Sequence, residues 1–136
     1  PPDLLVPYKI DDAEVVLISM GTISSTVDHI VDEARSRGVK VGSIRVRGYR
    51  PFPELQLKEM LGGIGRVGVL DRDISLGFGG VLWGEVRGVA APGAISQGYI
   101  LGVGGGDVRP KHIEAVLKDL LERDSAEAPI VMETNL

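Results

Sequence analysis

Cysteine is absent from the 136 residues, so this chain supplies neither disulfides nor thiolate ligands to zinc or an iron–sulfur cluster. That absence is compatible with a reducing, cytoplasmic setting. Aromatic residues are scarce at 4%, which leaves valine, isoleucine and leucine to fill the core. No apolar run exceeds strand length, so a membrane-spanning helix is ruled out, and the proline-led start lacks the charged and then apolar segments of a secretory signal. A basic stripe is missing too. The formal charge is −4, unsegregated by sign, which argues against a nucleic-acid surface. The chain opens at Pro1 rather than at a methionine, as a processed product or a fragment of a longer protein would.

What is present is ordinary globular composition, 43% hydrophobic and 25% charged, in a length that suits one domain with a real core. Residues 1–12 hold three prolines and little periodicity, and read as an arm or linker lying extended on a surface. Glu14 to Met20 is a near-continuous apolar run, as expected of a strand covered on both faces in a parallel sheet. Ile23, Val27, Ile30, Val31 and Ala34 then recur at helical spacing up to Gly38, with Ser25 and Asp28 placed like a capping box.

Val39 to Val46 reads as a second strand, and Pro53 suits the first helical position of a short helix running to Leu61. Arg66 to Asp71 is a third strand and Ile95 to Val103 a fourth, in which Gly98 marks a bulge or a close approach. Between them Val81, Leu82, Glu85, Val86 and Val89 suit a helix, although Gly84 and Gly88 weaken it. Pro110 opens a last helix striped by Ile113, Val116, Leu117, Leu120 and Leu121. Residues 125–136 form a tail. The alternation predicts a three-layer α/β/α domain over residues 13–124, with a mostly parallel sheet whose loops gather at one end.

The arginines stand out at those loops. Arg45 and Arg47 lie two apart on a strand and project from one face, and Arg50 follows in the turn before Pro51, Phe52 and Pro53. Three guanidinium groups so close can clamp a phosphate or carboxylate. The alternative is that they pair with acids of the same fold, such as Asp71 and Asp73, or sit at a subunit contact. That second reading is preferred, because arginine favours interface ion pairs.

The glycine runs at 77–80 and 102–106 each fall between a strand and a helix. Exposed amides at a helix start can bind an anion, yet no lysine followed by serine or threonine closes either run, and the dinucleotide spacing is incomplete. They read as turns that allow close approach. His29 and His112 have no partner at a convincing metal spacing and read as solvated or partly packed. No serine occupies a nucleophile elbow. The residues themselves reveal no complete catalytic apparatus.

From Ile44 to Pro53, through Arg45, Arg47, Arg50, Pro51 and Phe52, the chain resembles a known family. It is similar to the core domain that follows the thiamine-binding domain in the 2-oxoacid:ferredoxin oxidoreductases, of which pyruvate:ferredoxin oxidoreductase (pyruvate synthase) is the best-known member. The other matching stretches are Met20-Gly21-Thr22, Leu70-Asp71-Arg72, and the turn Gly104, Gly105, Gly106, Asp107 and Val108. The likeness covers about 14–122. A more distant resemblance is to the C-terminal domain of transketolase.

The resemblance implies a transketolase C-terminal-like domain of the alpha subunit, a scaffold inactive alone that packs the active-site domains of an enzyme oxidatively decarboxylating a 2-oxoacid, pyruvate foremost, to acyl-coenzyme A. Thiamine diphosphate, magnesium and the iron–sulfur clusters that serve ferredoxin are then expected on other domains or subunits. A different reading is a freestanding anion-binding or regulatory module. The resemblance also exposes two departures. Gly106 stands where the family has arginine, and Arg109 stands where a threonine or serine would cap the last helix. Arginine is a poor cap, and Arg109 is expected to reach back and supply the missing guanidinium.

Overall fold

Short apolar runs with side chains on alternate faces can be buried only when both faces are covered, and that requirement organises the molecule. The structure, a computed structural model, describes residues 4–48, 52–72, 81–102 and 107–132. In chain order these form β1 (Leu5–Tyr8), β2 (Val15–Met20), α1 (Ile23–Ser36), β3 (Val41–Val46), α2 (Glu54–Met60), β4 (Arg66–Arg72), α3 (Val81–Val86), β5 (Ile95–Leu101), α4 (Pro110–Glu122) and β6 (Ile130–Val131). One sheet runs in the order β1-β3-β2-β4-β5-β6. Only β1 is antiparallel to its neighbour.

Alternation along β2 sorts the core into two layers. Val15 and Leu17 meet Val27, Ile30, Val31 and Ala34 of α1 together with Ile113, Val116 and Leu120 of α4. Val16 and Ile18 face the other way, toward Leu57 of α2 and Leu82 and Val86 of α3. The expected three layers follow from this two-residue period. Each buried leucine or isoleucine contributes about 1.5–3 kcal/mol of transfer free energy, so the two layers together dominate the stability of the fold.

Two strands arise in segments read from sequence as lying outside the domain. Within 1–12, Leu5–Tyr8 pairs with β3. The Asp32 carboxylate on α1 accepts from Tyr8 Oη at 2.8 Å and Lys9 Nζ at 2.7 Å. Arg35 reaches Asp12 at 2.6 Å and the Lys9 carbonyl at 2.7 Å. Gly42 makes the close approach possible, because a Cβ there would lie 2.6 Å from the Lys9 carbonyl oxygen. Within 125–136, Ile130–Val131 adds to β5.

Helix ends show what local sequence can and cannot dictate. Gly38 closes α1 with φ +88°, as expected of a left-handed terminating residue. The capping box expected of Ser25 and Asp28 does not form. Ser25 donates to the Thr22 carbonyl, and Asp28 accepts from Ser43 of β3 instead. Glu54 opens α2 as expected, with Pro53 at the N-cap rather than in the first helical position. Gly98 marks a close approach rather than a bulge: β4 and β5 pair without interruption, and a Cβ at 98 would lie 2.6 Å from Cδ1 of Trp83.

Candidate functional site

Because β2, β3, β4 and β5 are parallel, the turns that follow them gather at one end of the sheet. The chain leaves β2 through α1 toward β3, and leaves the adjacent β4 through α3 on the opposite face toward β5. Such a reversal opens a crevice beyond the carboxyl ends of the strands. Two clefts lie there, sharing Thr22.

The first cleft, of about 540 Å³, is lined by the turn from Met20 to Thr22, by Ser25, and by Arg45 and Arg47. Strand register explains the juxtaposition. Ser19 stands beside Arg45 and Met20 beside Val46, so the residues just beyond them emerge as neighbours. Arg45 is partly buried and Arg47 exposed. The Nε of Arg45 is shielded from solvent and meets no acceptor. Neither guanidinium has an acidic partner among the described residues.

Of the acids expected to pair with these arginines, Asp71 does otherwise. Asp71, at the end of β4, accepts from the backbone N–H groups of Leu82 at 2.8 Å and Trp83 at 3.0 Å. It therefore caps α3. Burial pushes its carboxyl above the ordinary 3.8, against the opposing effect of those two N–H donors. Asp73 lies outside the described residues, as do Arg50, Pro51, Gly104 and Gly105. Phe52 packs against the α2 and α3 layer, whereas Leu55 on the first turn of α2 is 81% exposed.

The second cleft brings Thr22, at the N-cap of α1, and Thr26 of α1 together with Arg72, Asp107 and Arg109. Arg109, expected to reach back, has an exposed side chain. As the N-cap of α4 it cannot accept from the helix, since a guanidinium has no lone pair to offer. The capping comes from His112, whose Nδ1 accepts the Arg109 N–H at 2.8 Å. His112 is fully buried, a correction to its reading as solvated or partly packed, while His29 is solvated beside Glu33.

Three contacts within the fold escape a sequence reading because their partners are distant along the chain: Asp71 with the start of α3, Tyr99 with Asp119, and Gln97 with the Ala128 and Glu127 backbone. Among the described residues no three His, Asp or Glu side chains converge as a metal site requires.

Comparison with known proteins follows the same lines. The family described as pyruvate:ferredoxin oxidoreductase core domain II matches residues 13–113. The chain belongs to this family. Relatives within the oxidoreductases include pyruvate synthase subunit PorA of Thermotoga maritima, 40% identical over 119 residues, covering 85% of this chain and 30% of the relative. PorA of Methanothermobacter thermautotrophicus is 36% identical over 115 residues, again with 85% and 30% coverage. Ketoisovalerate oxidoreductase subunit VorA of Pyrococcus furiosus is 40% identical over 114 residues, covering 82% of this chain and 29% of the relative. The chain thus spans about a third of the length of these subunits. A solved 2-oxoglutarate:ferredoxin oxidoreductase from Magnetococcus marinus shares the fold, with a TM-score of 0.69 at 18% identity over 87% of this chain and 20% of that one.

Proposed function

We propose that this chain serves as the scaffold domain of the alpha subunit of a thiamine-diphosphate-dependent 2-oxoacid:ferredoxin oxidoreductase, packing the active-site domains and doing no chemistry alone. The observation that carries this reading is the match to core domain II over nearly the whole globular part, in a chain about 30% the length of the PorA relatives. The complete enzyme would convert a 2-oxoacid and coenzyme A to acyl-coenzyme A and carbon dioxide, passing the electrons to ferredoxin, or run in reverse. Thiamine diphosphate, magnesium and the clusters belong on other domains or subunits, and the setting is cytoplasmic.

Pyruvate is the leading substrate. Even so, a PorA and a VorA match this domain at the same 40%, which suits a domain that does not set substrate specificity. Leu55 supports the packing role. A leucine left 81% exposed on the helix that follows the arginine–proline motif is the kind of apolar anchor that a neighbouring domain covers.

Reconstitution tests both halves. Alone, the 136-residue chain is expected to reduce no ferredoxin with pyruvate and coenzyme A, and turnover by the chain alone would overturn the proposal. Within the assembled oxidoreductase, Leu55→Asp or Arg47→Ala is expected to lower recovery of the complex in size-exclusion chromatography. Intact assembly of both variants would remove the packing role from this edge.

A further inference from the structure

We propose that the cleft between the β2–α1 turn and Arg45 and Arg47 is a binding site for a phosphate-type oxyanion, independent of any packing role. Four other arginines are spent on the domain itself. Arg35 binds Asp12 and two carbonyls, Arg66 binds the carbonyls of Leu120 and Arg123, Arg123 binds Asp119, and Arg87 lies 4.8 Å from the Trp83 ring centre. Among the described residues Arg45 and Arg47 have no such partner, although both line one cavity.

The Nε of Arg45 is the sharper observation. A charged donor withdrawn from water without an acceptor is costly, and here no described residue meets it. The wall facing it is built from the opposite deficiency. Gly21, at φ +80°, helps turn the chain from β2 into α1 within two residues. The 14-residue α1 then opens with no acidic residue in its first turn and no side-chain cap from Thr22. The positive end of the helix is therefore uncompensated beside two guanidinium groups. Ser19 and Ser24 hold the turn from beneath through a buried hydroxyl pair at 2.9 Å.

A planar guanidinium offers paired N–H donors to two oxygens of one oxyanion at once, and Arg45 and Arg47 bring two such groups to the one cleft. The start of α1 adds N–H donors and the Thr22 hydroxyl from the other side. A tetrahedral anion uses both sets, because its oxygens project in several directions. The group is either free orthophosphate or the phosphate of a larger ligand.

Titration calorimetry of the full chain with orthophosphate and with adenosine diphosphate, at constant ionic strength, tests the site. Saturable binding of either is expected, with amide shifts in an NMR titration centred on 21–25. Equal affinities identify free phosphate as the source, and a tighter diphosphate identifies a larger ligand. Arg47→Ala and Arg45→Lys, which keeps the charge but lacks Nε, are each expected to weaken binding about tenfold. No saturable binding of either probe overturns the proposal, and so does binding unchanged in both variants. If circular dichroism shows Arg45→Lys unfolded, the exposed Arg47→Ala decides alone.

Discussion

The Tyr99 phenol donates to the Asp119 carboxylate at 2.6 Å, tying the middle of β5 to α4 from inside a buried layer. Arg123 holds the same carboxylate at 2.7 Å. Burial, reinforced by the neighbouring Asp119, lifts the phenol well above the ordinary 10.0, so it remains a donor through the alkaline range. Tyr99→Phe keeps the ring and deletes the bond. A hydrogen bond to a charged group is worth about 1.5–3 kcal/mol, and the urea midpoint is expected to fall accordingly with an unchanged slope. An unmoved midpoint would show that Arg123 alone satisfies Asp119.

Asp71 gives a prediction with a defined sign. Its folded-state value is raised above 3.8, so the native state holds that proton more tightly than the unfolded chain does. Its contribution is fully favourable below the unfolded value and is lost as pH rises through the folded one. Asp71→Asn removes this dependence. Urea unfolding at about pH 3.5 and pH 6 is expected to show the wild type gaining on the variant at the lower pH. Asp71→Ala removes both acceptors from the start of α3 and is expected to cost about 1–2 kcal/mol at either pH.

The N-terminal strand is predicted to respond in the opposite sense. The Lys9 ammonium, and after it the Tyr8 phenol, hold the Asp32 carboxyl below its ordinary 3.8, and the Arg35 guanidinium does the same for Asp12. Depressed values mean stabilisation present above the unfolded value and lost as pH falls through the folded one. Hydrogen exchange at about pH 3 is expected to expose the β1 amides while β2 and β4 stay protected. Equal protection of β1 at neutral and acid pH would show that backbone pairing alone retains it.

Gly42→Ala attacks the same strand by sterics. The added methyl would lie 2.6 Å from the Lys9 carbonyl and 2.9 Å from that of Tyr8, and backbone gives way less readily than a side chain. Overpacking of this kind costs about 1–3 kcal/mol. Here the strain is relieved by releasing β1, so proteolysis near residues 8–12 is expected to accelerate. Unchanged cleavage would mean that β3 shifts instead.

The central strands and the four helices are legible in the sequence because each is specified locally: Val15 to Ile18 by unbroken apolarity, α4 by Pro110 and its stripe, and the end of α1 by Gly38. β1 is not, since Leu5–Tyr8 is too short and too rich in proline to announce pairing that depends on Asp32 and Arg35 more than twenty positions away. The candidate site divides the same way. Arg45 and Arg47 are readable as one face of a strand, and their meeting with Met20 to Ser25 follows from parallel register. The diversion of Asp71 to α3 is not readable, because no spacing rule links a strand-end carboxylate to a helix eleven residues on.

The two flanking strands have a colloidal consequence. A parallel sheet rich in valine and isoleucine would otherwise present bare ladders of amides on which other chains could grow. β1 blocks one side with Pro7, which has no N–H to offer a newcomer. On the other side β6 offers only Ile130–Val131, too little for stable recruitment. Loosening the ionic fastening of β1 in acid therefore risks fibril-like association before the core itself unfolds.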